Sequence, residues 1–247
     1  MSTTADAATR GTVEIRRDGD VAVLTLARPA KLNALSTYLE NELLGALRSA
    51  EVRAARAVVV TGAGRAFSAG ADVTELPAMT PEAIDAYYRG SGAVYEAVAD
   101  LPQPTVAAVA GYCLGGGFEL ALACDLRVAD PGAVFGLPEI GLGILPGSGG
   151  VHRLVRAAGP ALARDLILRG RRMEASEAFR RGLLTEVTEP GRQVDRAVEI
   201  ATELAVAPAL AVATAKQLID GAAEASRETG LLLERLAYAA LNRTGPT

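Results

Sequence analysis

The stretch Ala110-Gly111-Tyr112-Cys113-Leu114-Gly115-Gly116-Gly117-Phe118-Glu119-Leu120 decides the reading of this chain. Before it, Thr105 to Val109 is a short apolar run suited to a strand buried on both faces. After the glycines, Phe118 to Ala123 reads as helix. A triple glycine ahead of a helix aims bare backbone N–H groups and the positive end of the helix dipole at one spot. Such donors suit a developing oxyanion.

Upstream the same order recurs. Ala57 to Val60 is a second buried-strand candidate and runs into a glycine-rich loop from Thr61 to Asp72, which contains Ser68-Ala69-Gly70-Ala71-Asp72. If the two turns meet, they form a two-donor hole for a carbonyl oxygen. Glu119 follows the triple glycine closely, and Glu139 stands in Phe135-Gly136-Leu137-Pro138-Glu139. Both have apolar neighbours, which raise a carboxyl pKa and suit it to move protons near neutral pH.

Farther out, strands are predicted at Val13 to Ile15, Val21 to Leu26, Leu126 to Ala129 and Val134 to Phe135, with helices from Ser36 to Ala50 and from Pro81 to about Ala99. The remainder from Gln193 to Leu241 reads as entirely helical. This interleaving predicts an α/β fold with a core over residues 1–191 and a helical region over 192–247.

Bulk properties exclude several classes. A 247-residue chain is long enough for one substantial core, and 50% apolar with 22% charged residues is the balance of a globular protein. Charges of both signs are mixed, with a net of −4, so no basic stripe offers itself to nucleic acid. Two cysteines and one histidine make neither a disulfide framework nor a zinc pattern. No run approaches the roughly 18 apolar residues of a membrane span, and Met1 to Arg10 lacks the apolar stretch of a secretory signal, so a cytoplasmic protein is expected. Gly62, Gly64 and Phe67 fail GxGxxG at its last glycine, no Gly-Lys-Ser/Thr occurs, and neither Ser68 nor Ser148 stands in GxSxG.

The sequence resembles the crotonase, or enoyl-CoA hydratase/isomerase, family over nearly its whole length. The likeness rests on Arg28-Pro29 with Asn33-Ala34-Leu35, on Ala66 to Asp72, on Ala110 to Leu120, on Cys124-Asp125, on Phe135 to Glu139, and on Gly143-Ile144-Leu145-Pro146-Gly147-Ser148-Gly149-Gly150. It implies a spiral of ββα units, with C-terminal helices that assemble a homotrimer or a homohexamer. It implies an acyl-CoA thioester substrate and no cofactor or metal. Carried over by position, the oxyanion hole is the backbone N–H of Ala71 and Gly116, the catalytic acids and bases are Glu119 and Glu139, and Gly147 helps hold a water. CoA contacts fall to Ser68, Ala69, Ala71, Asp72, Leu76 and Lys31. Family members usually continue past the position of Thr247 into a further helix that often covers an acyl pocket or contacts CoA in a neighbouring subunit.

Having both acids favours an enoyl-CoA hydratase, a lyase of fatty acid metabolism that converts trans-2-enoyl-CoA to 3-hydroxyacyl-CoA. The alternatives are a family isomerase or other CoA-enolate enzyme, and a non-catalytic acyl-CoA-binding protein.

Overall fold

The structure, a computed structural model, describes residues 10–75 and 80–243. The runs Ala57 to Val60 and Thr105 to Val109, rich in valine and alanine and too short for helices, become central strands of the first of two sheets. The first has the order β1 (Thr12–Asp18), β2 (Val21–Ala27), β3 (Ala57–Gly62), β5 (Thr105–Val109), β7 (Leu126–Ala129), β10 (Glu186–Val187). The second has the order β4 (Ala66–Ser68), β6 (Tyr112–Leu114), β8 (Val134–Gly136), β9 (Met173–Glu174). Only β1 against β2 and β9 against β8 run antiparallel; the other neighbours are parallel.

The helices are α1 (Thr37–Leu47), α2 (Pro81–Arg89), α3 (Val94–Ala99), α4 (Gly116–Ala123), α5 (Gly150–Arg169), α6 (Ala175–Arg180), α7 (Gln193–Ala205), α8 (Ala209–Ala222) and α9 (Arg227–Arg243), besides a single turn at Ala50–Arg53. Three times the chain leaves the first sheet, adds one strand to the second, and enters a helix: β3 to β4, β5 to β6, and β7 to β8. This is the expected spiral of ββα units. The step from β5 to β6 passes through Gly111 at φ +56°, where a Cβ would lie 2.0 Å from the Arg65 carbonyl oxygen, so only glycine fits.

Period-two alternation divides the first sheet between two apolar layers. Leu24, Val58, Val60, Ala107 and Val109 pack with Leu39 and Leu43 of α1, whereas Val23, Val59, Val106, Ala108 and Val128 pack with Ala197, Ile200 and Ala201 of α7. The C-terminal helices are therefore not alike: α7 covers the sheet, while α8 and α9 contain no buried residue.

Two expected helices are shorter than their patterns suggested. Helix α1 ends at Leu47 because Ser49 caps a new turn, its side chain accepting from Val52 N at 3.2 Å. The run from Pro81 breaks at Gly90, which sits at φ −100° and ψ −107°, so α2 and α3 are separate. Strands β4 and β6 lie where only glycine-rich loops were expected, and they build the second sheet.

Candidate active site

The first turn is fixed from below by Asn33, whose buried amide donates to the carbonyls of Ala63 at 2.9 Å and Ala66 at 2.7 Å, while its oxygen accepts from Arg28 N. Leu35 N donates to Gly70 O, and Asp72 N donates to Leu35 O. In such a parallel bridge the residue between, Ala71, has its own N–H turned away from Leu35. Arg28 and Asp72 form a buried ion pair at 2.7 Å that holds the turn from its far side. Burial opposes ionisation of Asp72, but hydrogen bonds from Thr74 and Arg28 keep its carboxyl below the ordinary range.

The second turn opens α4. Gly116 is its first residue, so its N–H has no partner inside the helix. The two turns touch: a Cβ on Gly70, at φ +100°, would lie 3.4 Å from Gly116 N, and one on Gly116 would lie 3.5 Å from Ala71 N. Two amides from distant segments thus converge.

Glu119, on the first turn of α4, is 3% exposed. Its Oε1 accepts from Ser148 N and Gly150 N, each at 2.8 Å. Glu139 opens a short 3₁₀ turn, and its Oε1 lies 3.0 Å from where Gly115 would carry a Cβ. Its Oε2 is buried without a hydrogen-bond partner. Burial pushes Glu139 up to about 7, with the charge of Glu119 adding to it. Burial also raises Glu119, but the amides of Gly150 and Ser148 oppose this by favouring its ionised form. The pair is thus unequal in its surroundings: Glu119 Oε1 accepts two backbone amides that favour its ionised form, whereas Glu139 Oε2 has no hydrogen-bond partner and its carboxyl is disposed to keep its proton.

Both acids and both turns line one cavity of about 460 Å³. Leu35, Val73, Ile84, Leu142, Ile144 and Leu145 give it apolar walls, and Tyr87, Tyr95 and Glu75 add polar groups.

The structure brings together most of the residues singled out in the sequence: Ala69, Ala71, Asp72, Gly116, Glu119, Glu139 and Gly147 all line the cavity. Ser68 does not; its hydroxyl is buried and donates to Asn33 O at 2.8 Å, so its side chain supports the turn. Lys31 is exposed on a 3₁₀ turn outside the cavity lining. Leu76 lies outside the described residues. The amides of Ser148 and Gly150 were missed, as was buried Glu40, which bonds to Tyr87 and Tyr95. Glu40 did carry a signal: it precedes Leu44 by one helical turn and Leu47 by two, a position where the pattern calls for an apolar side chain. Among the described residues no group of His, Cys, Asp and Glu is placed to hold a metal ion.

Two aimed amides beside two unequal carboxylates can stabilise a carbonyl oxygen as it gains charge while protons move on either side of it. That is the equipment of an enzyme working on an enolisable carbonyl compound. A family model for enoyl-CoA hydratase/isomerase matches residues 16–244. A probable enoyl-CoA hydratase of Rhizobium meliloti is 41% identical over 94% of this chain and 90% of its own, and one of Mycobacterium bovis is 43% identical over 91% and 87%. The crystal structure of an enoyl-CoA hydratase from Bacillus anthracis superposes with a TM-score of 0.88 at 38% identity, covering 95% of this chain and 92% of the other. The chain belongs to the enoyl-CoA hydratase/isomerase family.

Proposed function

We propose that this chain is an enoyl-CoA hydratase, adding water across the double bond of a trans-2-enoyl-CoA to give a 3-hydroxyacyl-CoA. The observation that carries the reading is the unequal acid pair beside the two amides, and the names of the relatives support it. The thioester oxygen accepts from Ala71 N–H and Gly116 N–H, which draws electron density from C3. A water held between the carboxyls, with the backbone at Gly147 alongside, gives a proton to Glu119 as its oxygen bonds to C3. The electron pair of the C2–C3 double bond moves toward the thioester, and C2 takes the proton of Glu139. Proton exchange with solvent resets the pair.

The assay is loss of the conjugated enoyl-thioester absorbance of crotonyl-CoA, with a label from heavy-oxygen water retained in the product. The pH dependence has a definite sign. Hydration needs Glu139 protonated and Glu119 ionised, so kcat/KM falls as pH rises through about 7, where Glu139 loses its proton. The two acids titrate together, so the limb belongs to the pair. A profile flat from pH 6 to pH 9 would remove Glu139 as proton donor.

We also read α8 and α9 as faces through which copies of this chain associate. Leu210, Ile219, Leu231, Leu232, Leu233 and Leu236 stand at least 41% exposed there, which is costly in water. Sedimentation equilibrium is expected to give three or six times the 25.4 kDa chain mass, and a species of one chain mass at micromolar concentration would overturn the reading.

A further inference from the structure

Helix α1 enters the core through Leu39, Leu43, Leu44 and Leu47, yet the same helix buries Glu40 completely. Tyr95 Oη donates to Glu40 Oε1 at 2.7 Å, and Tyr87 Oη lies 2.8 Å from Oε1 and 2.7 Å from Oε2. Burial pushes the Glu40 carboxyl up to about 7, against the pull of these phenols. A carboxyl among leucines is a poor choice for stability, since an apolar side chain of similar size packs there without desolvation cost. Its surroundings point instead to the cavity. Both tyrosines line it. The oxygen of Tyr95 lies 2.9 Å from where Gly116 would carry a Cβ, so the phenol stands beside the amide assigned to the thioester oxygen. Glu75 lines the same cavity, its Oε2 accepting from Thr37 N at 2.9 Å and Thr37 Oγ1 at 2.8 Å.

We propose that this cluster selects acyl chains bearing a hydroxyl group close to the reacting carbons, with Tyr95 and Tyr87 meeting the hydroxyl and Glu40 acting as the positioning residue that orients both phenols. Tyr95 has given its hydrogen to Glu40, so it offers a ligand lone pairs, and the matching group is a hydrogen-bond donor. A plain alkyl chain leaves that oxygen unmatched once water is expelled. Sites built around a hydroxyl reject the analogue lacking it far more strongly than apolar pockets reject a missing methylene. The proposal rests on the acyl-CoA reading above.

The test uses two unreactive ligands, the nitrogen-for-sulfur amide analogues of 4-hydroxybutanoyl-CoA and butanoyl-CoA, titrated calorimetrically into the full chain. The hydroxylated ligand is expected to bind at least tenfold more tightly. That ratio is expected to collapse toward one in Tyr95→Phe and in Glu40→Leu, and to survive in Glu40→Gln, whose amide oxygen still accepts from a phenol. Should Glu40→Leu fail to fold, the ratio in Tyr95→Phe decides. Equal affinities in the unaltered protein, or a preference untouched by Tyr95→Phe, overturn the selectivity alone. Binding of neither ligand overturns the acyl-CoA reading and this proposal with it.

Discussion

Glu139→Gln is expected to lower kcat for crotonyl-CoA hydration by roughly 10³-fold, with KM changed little. The amide keeps the size of the side chain and has no proton acidic enough to transfer to C2. The buried Oε2 makes no hydrogen bond that the substitution would break, so a structural explanation of the loss is testable separately. A melting temperature equal to or above that of the unaltered protein, together with the activity loss, assigns the effect to proton transfer. Unaltered turnover in this variant would remove Glu139 from the mechanism.

Gly70→Ala is expected to lower kcat/KM by about 10²-fold or more, the scale on which a lost oxyanion donor acts. At φ +100° the new Cβ would sit 2.8 Å from the Leu114 carbonyl oxygen and 3.4 Å from Gly116 N. The turn carrying Ala71 must therefore move off the turn carrying Gly116, which parts the two amides. The strained backbone also costs about 1–3 kcal/mol of stability. The far-ultraviolet circular dichroism is expected to stay that of the parent, because the strands lie outside the change. Full kcat/KM in a folded Gly70→Ala protein would show that the two turns need not converge.

The sequence made some of this visible and hid the rest for physical reasons. Strands β3 and β5 were legible because burial on both faces leaves a run of valine and alanine. Strands β4 and β6, three residues each, are too short to show a period, so of the second sheet only β8 was read, at Val134 to Phe135. The glycine turns and both acids were legible through local chemistry and the family resemblance. The Arg28–Asp72 pair was not, since it joins residues 44 positions apart and no local pattern connects them. Nor was the clamp on Glu119 by Ser148 and Gly150, because backbone amides have no side-chain signature.

The parallel layout of the first sheet bears on how the protein comes to life. Thr25 pairs with Thr61, Thr61 with Ala108, and Val109 with Ala129, so each of these pairings is reached only across an intervening helix or a strand of the second sheet. Each pairing must close a long loop before it gains anything. The amides of Ala71 and Gly116 meet only after several such closures, so on refolding the return of turnover is expected to lag the return of the helical circular dichroism signal.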